Sequence, residues 1–343
     1  MKRVIGLKPA EVTGPATQDS AAVGAADHWL PALLKSRAAG MGVPLVLCLM
    51  FVIFAALSPH VFFTATNIQV LIAGQSTVLL LALAATIVLR TGDFDLSLSA
   101  TMILSACAVG VLTKDGWPLP VVCLAALGIG LAAGLVNAFL VVFVKIDGLI
   151  VTLGMLTILT GIAGGLTANN LVTTIPESLQ HFAARDWLAL PLPVWIGWIL
   201  AAVVWYVFEF TPAGRWMLFI GGNRSASGLA GIRVARIRCL AFVASGLLCA
   251  LAGILLAGTL GSVDPTSGGG YLLPPFTAAF LGASAIQLGR FNVIGTLTGL
   301  YLLAVGIAGL QLIGLSNWIA DVFNGGCLIL AITAARILRR RGR

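Results

Sequence analysis

The sequence predicts an all-α, polytopic membrane protein of about ten transmembrane helices. Of its 343 residues, 59% are hydrophobic and 9% are charged, whereas about 25% of an ordinary soluble domain is charged. Because about 20 apolar residues cross a bilayer core of about 30 Å as a helix, the apolar stretches define the spans. These are residues 43–57, 68–89, 96–112, 118–144, 149–168, 191–210, 239–260, 272–288, 293–313 and 318–337.

The basic residues give an independent test of this division. With ten spans and both termini inside, all but two of the 20 Lys and Arg residues fall on the inner side, the exceptions being Lys114 and Arg185. Adding or removing one span would break this positive-inside bias. We therefore expect a multi-pass membrane protein with cytoplasmic N- and C-termini. The net charge of +8 suits an anionic lipid surface, and no basic face carries interleaved aromatic residues for nucleic acid.

The chain divides into three regions. Residues 1–42 are predicted to form a cytoplasmic, mostly disordered tail, residues 43–338 the transmembrane domain, and residues 339–343 a basic C-terminal tail. A central inner loop, residues 211–238, follows the sixth span. Spans two to five begin outside and spans seven to ten begin inside, which gives two four-helix groups of opposite topology, a common transporter architecture. The outer connection 169–190 is long enough for a short amphipathic cap.

Glycine recurs within the spans. Examples are Gly128, Gly130 and Gly134 in the fourth span, Gly161, Gly164 and Gly165 in the fifth, and Gly295, Gly299, Gly306 and Gly309 in the ninth. Small residues at such spacing let helix backbones approach closely. The pattern predicts a compact bundle.

The central loop contains the pattern of a short capped helix. Asn223 is a good N-cap, the run that follows it to Ala230 is compatible with a helix, and Gly231 stands where a left-handed C-cap would fall. A small helix outside the bilayer would be a docking element. The alternative is that the arginines of the loop only anchor it on the inner side.

Two carboxylates lie at the boundary of the third span. Gly92 permits a turn, and Asp93 and Asp95 follow it directly. The pair would either cap the positive N-terminal end of the third span or serve in ion coupling. Their spacing favours the cap.

Several stretches together resemble one known family. They are SPHVFFTATN, GDFDLSLSATMILSACAVGVL, GLVNAFLVVFVKIDGLIVTLGMLTI, GRWMLFIGGNRSASGLAGI and GLLCALAGILLAGTLGSVDPTSGGGY. In order and spacing they resemble the ribose and xylose class of ATP-binding cassette permeases, over about residues 43–335. The family signature would lie at Gly92, Asp93, Asp95, Leu96 and Ser97.

The resemblance implies a type II importer-like fold and a passive permease subunit of the bacterial inner (plasma) membrane that moves a monosaccharide or related polyol. It implies a cassette ATPase partner, often a double-domain chain, an external sugar-binding protein, and a second permease chain, here expected to be an identical copy. The loop after the sixth span would contact the ATPase through Gly214, Arg215, Gly221, Gly222, Asn223, Ala230, Gly231 and Ile232.

Two other functions fit the sequence less well. An ion-coupled secondary transporter would want ionisable groups deep in the spans, which are almost free of them. A membrane enzyme is disfavoured because no His lies within a span, so no catalytic residues are assigned and no metal or cofactor is expected. The chain lacks a GxxxxGK[ST] phosphate loop, so a partner must bind the ATP.

A neutral sugar needs hydroxyl and amide partners along its path. The polar candidates within or beside spans are Gln75, Asn137, Thr152, Thr157, Thr160, Gln311, Asn317 and Asn324. Each of them would equally serve as a hydrogen bond between helices.

Overall fold

The computed structural model describes residues 41–287 and 289–341, with side chains up to residue 333. The predicted N-terminal tail therefore lies almost entirely outside the described residues. The α-helices are α1 (Gly42–Leu57), α2 (Ala65–Gly74), α3 (Ser76–Arg90), α4 (Leu98–Lys114), α5 (Leu119–Ala138), α6 (Gly148–Thr167), α7 (Glu177–Ala184), α8 (Leu192–Phe210), α9 (Pro212–Gly222), α10 (Arg224–Leu229), α11 (Val234–Leu260), α12 (Leu273–Ala283), α13 (Val293–Leu312) and α14 (Trp318–Arg341). A π-helical turn, Phe139–Phe143, extends α5, a 3₁₀ turn, Ser267–Tyr271, precedes α12, and strands β1 (Asp186–Trp187) and β2 (Leu190–Pro191) form a hairpin.

The prediction of an all-α polytopic fold is confirmed, since each of the ten predicted spans contains a helix. Five helices of the described chain are long and apolar enough to cross a membrane, and the pair α2 and α3, bent by 43°, makes a sixth. Gly74 and Ser76 flank the bend, the kind of residue at which helices kink. Helices α1, α4 and the described part of α14 are apolar but shorter. Helix α12 has 11 residues, which is about 16 Å.

Helix α3 lies at the centre of the bundle, and every one of its residues is buried. It packs on α11, α12 and α13, and α11 packs in turn on α4 and α5. The first long helix of each four-helix group therefore packs on the second and third helices of the other group. Thr86 on α3 meets Thr296 on α13, with 3.0 Å between the hydroxyl oxygens.

The glycine prediction holds for some positions only. A Cβ atom added at Gly130 would overlap the carbonyl oxygen of Gly246, so α5 and α11 touch backbone to backbone. At Gly161 and Gly165, in contrast, an added Cβ would meet no atom of this chain within 4 Å. These two glycines do not pack helices within the single described chain.

Both four-helix groups contain the same turn after their first long helix. We call them the Asp95 turn (residues 91–97) and the Asp264 turn (residues 261–267). Gly92 and Gly261 have φ values of +76° and +66°, and an aspartate follows each by the same spacing. Asp95 accepts hydrogen bonds from the backbone N–H and the hydroxyl of Ser97. Asp264 accepts the same two bonds from Thr266, at 2.8 and 2.7 Å.

The two turns enter the bundle from opposite ends. Asp93 contacts Arg238 and Asp95 contacts Ser245, a step of about 10 Å along α11 at 1.5 Å per residue. At the other end of α11, Val263 pairs with Val172, and Gly268 lies against Ile103 on α4. Helices α4 and α12 are short because each begins inside the bundle, after its turn.

The outer connection folds as predicted, with the eight-residue helix α7 at its centre. Lys114 and Arg185 lie at this end of the bundle. The other basic residues whose side chains are described lie at the opposite end, namely Arg90, Lys145, Arg215, Arg224, Arg233, Arg236, Arg238 and Arg290.

Candidate functional site at the loop between α8 and α11

The central loop forms two helices, and sequence reasoning predicted one of them. Asn223 caps α10 by accepting a hydrogen bond from the N–H of Ala226 at 3.0 Å. Gly231 has a φ of +80°, which confirms the predicted left-handed cap. Helix α9 was not predicted, since its 11 residues are too few to stand out beside the apolar spans. Its buried residues Met217 and Ile220 tie it to the bundle.

Two of the glycines predicted to contact a partner also pack closely within this chain, and of the two Gly214 is buried and Gly221 exposed. A Cβ added at Gly221 would overlap the carbonyl oxygen of Arg90, and one at Gly214 would overlap that of Phe208. Helix α9 thus rests directly on the ends of α3 and α8. Arg90 strengthens this packing by donating to the carbonyls of Gly214, Phe208 and Phe291 at 3.3, 3.2 and 2.9 Å.

Asp93 binds two arginines from different parts of the loop. Arg238 donates from Nε and Nη2 at 2.7 and 2.8 Å, and Arg224 donates from Nη2 at 2.8 Å. The Asp93 side chain is 3% exposed. Bidentate, charge-assisted bonds of this kind are among the strongest in proteins. The predicted capping role is therefore wrong for Asp93, which joins α10 and α11 to the Asp95 turn.

Asp95 lies deeper in the bundle and binds only hydrogen-bond donors. Besides Ser97, it accepts from the hydroxyl of Ser245 at 3.0 Å and from the amide of Asn137 at 3.4 Å. Asn137 also donates to the Ser97 hydroxyl at 2.8 Å. Asp95 bonds to the N–H of Ser97, the residue before α4, so the capping interpretation holds for it only in this limited sense.

The outward surface of the loop is formed by the remaining predicted residues. Arg215, Gly222, Asn223, Ala230 and Gly231 are exposed, and Ile232 is half-buried. Sequence reasoning missed Leu229, the last residue of α10, which is 92% exposed. In a chain so rich in leucine, one more apolar residue gives no signal, and only its position on a polar loop distinguishes it.

The predicted substrate-path residues do not form one site. Thr160 is exposed on α6 and lines a cavity of about 90 Å³ together with Ser99 and Thr266. The hydroxyls of Thr152, Thr157 and Thr160 each bond back to a carbonyl of their own helix. The others are dispersed: Gln75 at the bend before α3, Asn137 beside Asp95, Gln311 beside Asn317, and Asn324 buried near Thr277.

An open cleft of about 600 Å³ lies beside the Asp95 turn. Its walls include Asp93, Phe94, Val141, Lys145, Asp147, Arg224 and Arg238. Asp147 is also the N-cap of α6, since it accepts from the N–H of Leu149 at 2.9 Å. The cleft leaves one side of the turn without packing. In the part of the chain that the structure describes, no cluster of His, Cys, Asp or Glu could hold a metal ion.

Comparison with known proteins gives one family match. The family described as "Branched-chain amino acid transport system / permease component" matches residues 67–332, which include both turns and the central loop. No solved structure matches the chain.

Curated relatives share about a third of their residues with this chain. The ribose import permease protein RbsC of Escherichia coli K12 is 30% identical over 292 residues, which are 84% of this chain and 91% of that protein. The autoinducer 2 import system permease protein LsrD of Escherichia coli SMS-3-5 is 32% identical over 268 residues, or 76% of this chain and 81% of that protein. LsrD of Shigella flexneri matches to the same extent.

Proposed function

We propose that this chain, which belongs to the family of branched-chain amino acid transport system permease components, is the membrane subunit of an importer driven by a separate cassette ATPase. The similarity to ribose and autoinducer 2 import permeases supports a monosaccharide or related polyol as cargo. An external sugar-binding protein would deliver it. The ion-coupled alternative is weakened because the one carboxylate deep in the described bundle, Asp95, is occupied by hydrogen-bond donors.

The observation that carries the proposal is the preformed helix α10. It is capped at both ends, by Asn223 and Gly231, and it presents Leu229 to solvent. A large apolar side chain on a polar loop fits an apolar pocket on a partner, since interface anchors are fully desolvated side chains in pockets. We assign this partner as the ATPase, with Asn223, Ala230 and Gly231 around the anchor.

A second copy of the permease would complete the membrane part. Helix α6 exposes a face of small residues, Gly154, Thr157, Gly161 and Gly165, and none of these glycines has a neighbour near its side-chain position within the chain. Small faces of this type associate membrane helices. Thr160 lies on the same helix, beside the cavity it shares with Ser99 and Thr266. The sugar path would therefore run along α6.

The test is reconstitution of the chain in liposomes with a cassette ATPase and a sugar-binding protein encoded beside its gene. We expect uptake of radiolabelled ribose or a related sugar only when ATP and all three components are present, and slower uptake by Thr160→Val. Leu229→Ser should lose the ATPase on purification, because it removes the apolar anchor. Leu188→Ser is the matched control, since Leu188 is 71% exposed at the other end.

Two results would contradict the proposal. Sugar uptake driven by an ion gradient without the ATPase would favour a secondary transporter. Full retention of the ATPase by Leu229→Ser would show that α10 is not the docking surface.

A further inference from the structure

Asp93 is shared between an exposed arginine and a buried one. Arg224, the first residue of α10, has a side chain that is 44% exposed, whereas that of Arg238 on α11 is 10% exposed. Arg238 holds both carboxylate oxygens of Asp93. Arg224 holds one of them and also donates to the carbonyl oxygen of Gly92 at 2.7 Å.

We propose that Asp93 is a positioning residue that carries movement of α10 into the Asp95 turn, and so couples the ATPase to the transport path. This inference rests on the proposed function. Because Arg224 bonds to both Gly92 and Asp93, a rotation or shift of α10 acts on the turn through these two bonds. The Arg238–Asp93 pair is little screened by salt, because both of its side chains are buried or nearly so.

The turn is built to respond to such a pull. It is held at Asp93 by the two arginines, and it borders the open cleft of about 600 Å³, which the same arginines line. Gly92, in the left-handed region, joins it to the end of α3. Its inner end is bound through Asp95 to Asn137 on α5 and Ser245 on α11. A displacement at Asp93 therefore reaches the interior of the bundle.

Comparison of the two turns shows that Asp93 is the charged residue in which they differ. The Asp264 turn repeats the glycine, the aspartate and the hydroxyl residue at the same spacing. At the position of Asp93, however, it has Ser262, and no ion pair is found in that turn among the described residues. The two turns otherwise share their local geometry. The ion pairs of Asp93 therefore match a partner that binds at only one end of the bundle, as the ATPase would.

The test compares Arg224→Gln with Arg236→Gln, an exposed arginine nearby on α11 that lacks an ion pair in the described structure. The purified chain is reconstituted with its ATPase and sugar-binding protein, and sugar uptake and ATP hydrolysis are measured together. For Arg224→Gln we expect normal ATPase co-purification and thermal stability, but about tenfold less sugar moved per ATP hydrolysed, because the charge-assisted bonds to Asp93 and Gly92 are lost. Arg224→Lys should restore part of the ratio.

The outcomes separate the inference from the proposed function. If the wild-type chain takes up no sugar with its ATPase, both are overturned. If the wild type couples and Arg224→Gln has the same ratio, only the inference is overturned. A parallel loss of ATPase co-purification and uptake in Arg224→Gln would also overturn it, because Arg224 would then act in docking.

Discussion

At the scale of single residues, the two aspartates of the repeated turn make the same local bonds in different surroundings. Asp95 is buried among donors, whereas Asp264 is exposed, and its bonds from Thr266 hold the pKa of that carboxyl below its ordinary value. Asp95→Ala leaves the Ser97 N–H and the Ser245 hydroxyl without an acceptor, at about 1–3 kcal/mol for each buried group. We expect a clearly lower midpoint of thermal unfolding in detergent.

Asp264→Ala is the matched control for this change. Its freed donors, on Thr266, reach water, so its unfolding midpoint should stay close to that of the wild type. Equal losses for both variants would mean that the bonds within the turn, and not burial, set the cost.

Sequence reasoning succeeded at residues whose partners are close along the chain and failed where they are distant. Asn223 and Gly231 were identified correctly because caps depend on their immediate neighbours. Asp93 was misassigned because its partner Arg238 lies 145 positions away. Nothing in the sequence distinguishes that arginine from the four others in the loop. The outward role of Leu229 likewise depends on packing that only the fold specifies.

At the scale of elements, α10 depends on its left-handed cap. Gly231→Val places a β-branched side chain at a φ of +80°, at a cost of roughly 1–2 kcal/mol. The cost falls on α10 and not on a membrane span. We expect normal membrane insertion but weaker ATPase co-purification and less cargo-stimulated hydrolysis.

Gly228→Val controls for the added bulk in the same helix. Gly228 is also exposed, has no neighbour within 4 Å of a side-chain position and does not have a positive φ. If Gly231→Val binds the ATPase as well as the wild type does, the loop does not dock the ATPase and only anchors the chain on the inner side.

The apolar stretches predicted the helices of the bundle but not their interruptions. Hydropathy averaged over about 20 residues cannot resolve a break such as the 43° bend between α2 and α3, which were predicted as one span, residues 68–89. The repeated glycine, aspartate and hydroxyl spacing of the two turns is visible in the sequence. Three matching residues are too few to identify a repeat from the sequence alone. The repeat becomes clear only when the structure shows the same hydrogen bonds in both turns.

At the scale of the whole molecule, the basic residues predict which end faces the cytoplasm. The end with Arg90, Lys145 and the central loop should lie inside, and the end with Lys114 and Arg185 outside, by the positive-inside rule. Single-cysteine variants at positions 185 and 236, in a background without the native cysteines, test this with a membrane-impermeant thiol reagent on intact spheroplasts. Position 185 should react and position 236 should react only after lysis.

The reverse labelling pattern would show that the molecule has the opposite orientation in the membrane. A cytoplasmic ATPase could then not reach α10. Labelling of both positions in intact spheroplasts would place them on the same side of the membrane. That result would contradict the prediction that one span, α8, crosses the membrane between them.

The crossed packing of α3 and α11 has a consequence for biosynthesis. Thr86 and Thr296 are 210 residues apart, so at about 5–20 residues per second α3 waits roughly 10–40 s for its partner to be synthesised. During that time its polar groups, including Arg90, lack the neighbours that bury them in the finished bundle. Neither half of the chain can therefore complete the bundle alone, because its centre cannot close until the ribosome has synthesised most of the chain.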